Sequence, residues 1–258
     1  MYKRKGWGQS KYLSYFKLCE ALSQPGCPIC TLVERDSWRY LDALLYERVN
    51  DVGTRKELRK SLGFCNWHAW QSLEISNCAL GLAIIYEDIL GLIIEKLCEA
   101  QKHFPIPVAS SFWFKVFAKK ETENSSEISK SKSAFCPVCR HVQLFEEHYL
   151  AILLDHFGEE EFLSAFAASA GICFNHLQEA LKKFPDHKNL PLLISRQTEI
   201  YEVLRQELAE FIRKQDYQHR HELMGKEIDS WKRVLEMVTG KQNIFAHQMR
   251  QRSHKNKK

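Results

Sequence analysis

The sequence lacks any run of alternating apolar and polar residues long or β-branched enough to make a convincing strand, which removes a sheet as its organising element. It has no Gly-rich phosphate loop, no nucleophile elbow and no His-Glu-x-x-His, so the common signatures of nucleotide binding, acyl transfer and zinc proteolysis are missing. No histidine follows a glutamate by three residues, which excludes the Glu-x-x-His pattern of a carboxylate-bridged di-iron bundle for Glu87, Asp88, Glu146, Glu147, Glu202 and His148. Acids paired with Arg or Lys on neighbouring helices are the expectation for those residues. An uncharged apolar run is missing too. The longest, Cys78 to Leu97, carries Glu87, Asp88, Glu95 and Lys96 and reads as a buried helix rather than a membrane span. No apolar segment of the signal-peptide kind follows Lys3, Arg4 and Lys5, so a cytoplasmic chain with reduced thiols is expected.

Acid is absent from the last stretch, Lys241 to Lys258, which holds Lys241, Arg250, Arg252, Lys255, Lys257 and Lys258. With Lys3, Arg4, Lys5 and Lys11 at the other end, the net charge of +5 resides in the ends and the body is acidic. A broad nucleic-acid-binding face needs its bases gathered on folded surface. Nucleic-acid binding through the tail therefore stands as an alternative that is not favoured, behind a solvated, disordered tail.

What the chain does have is nine cysteines, six of them in a repeated arrangement. Cys27-Pro28-Ile29-Cys30 is followed by Gly63-Phe64-Cys65-Asn66-Trp67-His68. The pair returns about a hundred residues later as Cys136-Pro137-Val138-Cys139 and Gly171-Ile172-Cys173-Phe174-Asn175-His176. Three thiols and one imidazole per half is the donor set of a closed tetrahedral zinc site. The reading is two Zn2+ ions, one held by Cys27, Cys30, Cys65 and His68, the other by Cys136, Cys139, Cys173 and His176. Two iron–sulfur clusters are the alternative, and one disulfide per half is the bland reading. A thioredoxin-like CxxC lacks its βαβ setting, and c-type haem attachment would need a histidine where Thr31 and Arg140 stand. Cys19, Cys78 and Cys98 have no such partners and read as small buried hydrophobes.

Helix punctuation supports this organisation. Pro28 suits a first helical turn, so a helix is expected from Cys30 through Val49, then a short one capped by Thr54. Cys65 and His68 fall three apart in the first turn of another. A long helix from about Asn77 to His103 is apolar nearly all round and should be central and buried. The second half repeats the order: Cys139 to His156, Glu159 to Ser169, the helix begun by Cys173 and His176, and a long helix from Leu190 to His219. Phe112 to Phe117 is an aromatic stretch expected to pack down. Lys214 to His221 reads as a helix end carrying cations at its negative pole rather than an anion site. Trp67, Trp70, Phe174 and Tyr201 read as core around the metal clips.

The fold class is all-α, an internal duplication of a metal-clipped helical unit whose halves pack through the long helices. The expected divisions are 1–118 (first repeat), 119–133 (flexible linker), 134–240 (second repeat) and 241–258 (basic tail). The runs CPICTLVERDSWRYLDALLYERVND, GFCNWHAW, GLAIIYEDIL, CPVC, GICFNHL and FIRKQDYQHRHELMGKEIDSWKRVLEMVTG together resemble an uncharacterised bacterial family known only as a domain of unknown function. The resemblance implies a bacterial cytoplasmic setting and supplies no activity or catalytic residue. A zinc-binding adaptor or regulator without catalysis, acting on a protein partner, is the leading expectation.

Overall fold

A computed structural model describes residues 8–103, 135–242 and 244. The linker assigned to 119–133, the aromatic stretch Phe112 to Phe117, and nearly all of the two basic ends lie outside the described residues. Among those described there is no strand, and the chain is all-α. The helices are α1 (Gly8–Leu22), α2 (Pro28–Glu47), α3 (Val52–Ser61), α4 (Asn66–Ser72), α5 (Cys78–His103), α6 (Pro137–His156), α7 (Glu160–Ala168), α8 (Phe174–Lys183), α9 (Leu190–Gln215) and α10 (Ser230–Thr239). A 3-10 turn, Lys226–Asp229, leads into α10.

Boundaries follow local chemistry. The carboxylate of Asp51 accepts the Thr54 amide at 2.7 Å, so Asp51 is the cap of α3 and Thr54 the residue capped, the reverse of the expectation. Leu62 and Gly63 then turn the chain in the left-handed region, at φ of 53° and 88°. Pro28 and Pro137 each occupy the first position of their helix, where the missing amide hydrogen costs nothing.

The chain forms two compact units. Among the described residues, those up to Arg39 and from His141 onward make one, and those between Tyr40 and Arg140 make the other. These are different divisions from the sequence repeats, because α2 passes from the first unit into the second and α6 passes from the second into the first. The first unit's core gathers Leu18, Ile29, Leu32, Tyr149, Leu153, Phe157, Phe162, Phe166 and Leu193. The rings of Phe157 and Phe166 meet edge to face at 4.8 Å, the arrangement that sets a positive ring edge on a negative face. The second unit buries Leu41, Leu44, Leu58, Phe64, Ile85 and Ile89.

The long helix α5 is not buried all round. Its Gly81, Ile85 and Ile89 stripe faces inward, with the Leu45 carbonyl so close to Gly81 that an added Cβ would sit 2.6 Å from it. Leu80, Leu90, Ile94 and Leu97 are exposed, and so is Cys98. One inward stripe is all that the neighbouring helices can cover, so apolar composition overstated the burial of this helix and of that cysteine. Cys19 and Cys78 are partly exposed.

Candidate metal centres

Each CxxC stands at the start of a twenty-residue helix and each CxxH at the start of a short one. Cys27 precedes α2 and Cys30 is in its first turn. Cys136 and Cys139 stand likewise on α6. Cys65 and Cys173 are the residues before α4 and α8, with extended backbone at φ of −67° and −68°, and His68 and His176 lie one turn into those helices. The peptide dipoles of four helix beginnings thus point at sulfur, which favours thiolate over thiol.

All eight residues are brought together in two groups of four, but the groups are exchanged relative to the sequence expectation. Cys27 and Cys30 meet Cys173 and His176, while Cys136 and Cys139 meet Cys65 and His68. The sets Cys27, Cys30, Cys65, His68 and Cys136, Cys139, Cys173, His176 do not form. The path of the chain is the cause: α2 passes from the first unit into the second, and α3 and α4 both lie in the second, so the CxxH that follows α3 belongs to a different unit from Cys27 and Cys30.

In the first group, His176 Nδ1 lies 3.4 Å from the sulfur of Cys27, 3.5 Å from Cys30 and 3.2 Å from Cys173, and the Cys30 and Cys173 sulfurs are 3.8 Å apart. In the second, His68 Nδ1 lies 3.2 Å from Cys65, 3.8 Å from Cys136 and 3.3 Å from Cys139, with the Cys65 and Cys139 sulfurs 3.6 Å apart. A tetrahedron around one ion with metal–sulfur bonds of about 2.3 Å and metal–nitrogen bonds of about 2.05 Å has edges of about 3.8 Å between sulfurs and about 3.6 Å from sulfur to nitrogen. Both groups match those edges, so each could hold a single metal ion.

The protons of these groups are strongly interdependent. Cys27 is buried, which opposes its thiolate, yet hydrogen bonds from Cys173 and Cys30 pull its pKa well down. Cys65 is likewise held as thiolate by hydrogen bonds from Cys136 and Cys139, whereas Cys30 and Cys139 are pushed up by the sulfurs around them. Burial disfavours the charged form of His68, but Cys136 and Cys65 outweigh it and raise the imidazole to about 9. Such clusters attract a proton or a cation, and a metal ion competes with the proton for the same lone pairs.

Sequence reasoning named Gly63, Gly171 and Tyr201, the last as core around the clips, but missed Gln197 and Glu236 and the contacts by which these residues hold the turns. Gly171, at φ of 72°, brings its backbone so near α9 that an added Cβ would lie 2.6 Å from Gln197 Oε1. That oxygen accepts the Ile172 amide at 2.8 Å, and Tyr201 donates to the Ile172 carbonyl at 3.1 Å. In the other unit Tyr86 hydrogen-bonds the backbone of Phe64, and its ring lies 3.1 Å from the Cβ position of Gly63. The far side of His176 faces a carboxylate, with Nε2 3.6 Å from the buried Glu146 Oε1. The Cys27 amide donates to Glu236 on α10 at 3.3 Å. Matching tyrosines on α5 and α9 were the legible signal; Glu236 lies 209 residues from the sulfur turn it serves, and no local pattern marks it.

Of the other acids singled out in the sequence, Asp88, Glu147 and Glu202 pair with Arg or Lys, Glu202 within its own helix. Asp88 binds Arg55 at 3.1 Å and Arg59 at 2.6 Å, Glu147 binds Lys183 at 3.1 Å, and Glu202 binds Arg205 at 2.9 Å. Lys214, in the last turn of α9, donates to the Leu223 carbonyl beyond the helix at 2.9 Å and pairs with Glu227 at 2.6 Å. Trp67 is half-buried beside the second group, while Trp70 and Phe174 are exposed and do not form core.

An all-helical chain with two buried groups of three cysteines and one histidine defines the class: a helical protein with two candidate metal centres. The chain belongs to the family of unknown function DUF6062, whose model matches residues 12–244. It is 29% identical over 234 residues to an uncharacterized 23.9 kDa protein in the xynA 3′ region of Caldicellulosiruptor sp. (strain Rt8B.4), covering 87% of this chain and 100% of that relative. No solved structure matches. No helix among the described residues is long and apolar enough to cross a membrane.

Proposed function

We propose that the protein binds two Zn2+ ions, through Cys27, Cys30, Cys173 and His176 and through Cys65, His68, Cys136 and Cys139, and that these ions are structural clips in a cytoplasmic bacterial adaptor or regulator without catalysis of its own. One observation carries the reading: in each group four protein donor atoms lie within 4.8 Å of one another, which fills a tetrahedral shell and leaves no position for water or substrate. The compactness weighs against iron–sulfur clusters, because a cluster spreads its thiolates over several irons. The motif offset of about a hundred residues and the repeated order of helices support descent from a duplicated unit. A protein partner fits better than nucleic acid, since the described body is acidic and Lys241, at the root of the basic tail, is already paired with Glu34 at 2.5 Å.

Elemental analysis and an absorption spectrum of protein purified without oxygen test the metal. Two equivalents of zinc per chain in a colourless protein are expected. Brown protein carrying iron and sulfide in place of zinc contradicts the proposal.

A further inference from the structure

The two groups share one geometry but not one environment. Cys27, Cys30, Cys173 and His176 are each 0% exposed. In the other group Cys136 and Cys139 are buried, but Cys65 is partly exposed, and its neighbours along the chain Leu62, Asn66 and Trp70 are exposed. A sulfur bound to an ion remains a nucleophile, and what decides whether it reacts is approach along the bond being broken. Among the six cluster cysteines Cys65 alone is not buried. A second sulfur, that of Cys139, waits 3.6 Å behind it, shielded from solvent.

We propose, building on the metal-binding reading above, that Cys65 is a modification site for small hydroperoxides and that its oxidation discharges the second metal centre while the first keeps its ion. The Cys65 thiolate attacks the peroxide O–O bond and becomes a sulfenic acid, and the other oxygen leaves as hydroxide, or as alkoxide from an organic peroxide. The Cys139 thiolate then attacks the Cys65 sulfur, the S–O bond breaks with loss of a second hydroxide, and a Cys65–Cys139 disulfide forms. Two thiolates have given up two electrons and the peroxide has accepted them. The sulfurs close from 3.6 Å to about 2.05 Å, a short movement between two side chains already in contact. Cys136 and His68 are left as two donors where an ion needs four, and the ion departs. The starts of α4 and α6 stay joined, now by a covalent bond, so discharge need not unfold the unit. In the first group Cys30 and Cys173 are poised at a similar 3.8 Å, but no surface leads to them.

The test uses the full chain loaded with both ions. Hydrogen peroxide is added, zinc release is followed with a coloured chelator, and thiol states are mapped by alkylation and mass spectrometry. The expected result is release of one equivalent at a rate about tenfold or more above the second, with a Cys65–Cys139 disulfide formed in step and both reversed by a dithiol plus zinc. Maleimide labelling of the loaded protein is expected to mark Cys65 before any other of the six cluster cysteines. Two equivalents leaving together, or first modification at Cys27, Cys30 or Cys173, overturns the proposal while leaving the metal reading standing. A chain that takes up no zinc overturns both.

Discussion

Gly171 shows how a single residue fixes a donor. Its φ of 72° sets the turn that presents Cys173, and the missing Cβ lets Gln197 reach the next amide. Both functions forbid a side chain. Gly171→Ala is therefore expected to lower stability by about 1–3 kcal/mol, from the left-handed backbone and from displacement of Gln197, and to weaken metal retention in the first group. Thermal melting with and without a chelator checks it; an unchanged melting temperature would mean that the turn tolerates a Cβ. The eight candidate donors were legible because CxxC and CxxH spacings are local facts about one helical turn. The residues around them were not, since the Gln197 and Tyr201 contacts to this turn, and those of Glu146 and Glu236, join elements distant in sequence.

At the scale of elements, most helices were readable from caps and apolar spacing, and the errors have physical causes. The segment from Gly225 to Val238 reads as one helix but opens with a 3-10 turn, because Glu227 folds back to accept the Gly225 amide at 2.7 Å and the Lys214 ammonium at 2.6 Å. Those two donors, the amide first, lower the Glu227 pKa to about 2. The sign follows. A carboxyl more acidic when folded contributes stability that is complete above its unfolded value, near about 4.3, and is lost as pH falls from there toward about 2. Protection factors of the amides of residues 226–239, corrected for the intrinsic pH dependence of exchange, should fall through that window. Glu227→Gln should show the faster exchange already at neutral pH, and equal exchange in variant and parent at pH 7 would refute the role of this contact. α5 teaches a different lesson. Its composition says buried on every side, but a helix can hide only the faces that neighbours reach, and Leu90, Ile94 and Leu97 stay exposed.

For the molecule as a whole, the exchange of motif partners is what matters. The donors it joins are 143 residues apart between Cys30 and Cys173 and 74 apart between Cys65 and Cys139, against about 34 within each half. In a chain-entropy treatment, cross-links over loops of this order constrain the unfolded chain by about 4–5 kcal/mol each, so ions held as proposed would act over far longer stretches of chain than the spacing of one CxxC and the next CxxH. The all-helical class and the eight donor residues could be taken from the sequence, because both rest on short-range pattern. Their grouping could not be taken from spacing, which fixes the composition of a set and is silent on which CxxC meets which CxxH.

Zinc content of paired variants tests that exchange most directly. Cys30→Ala with His176→Ala should remove one ion and leave one, since both changes fall in the same group. Cys30→Ala with His68→Ala should remove both. If the first pair lost both ions and the second kept one, the donors would be grouped within the sequence repeats and the exchanged pairing of motifs would be contradicted.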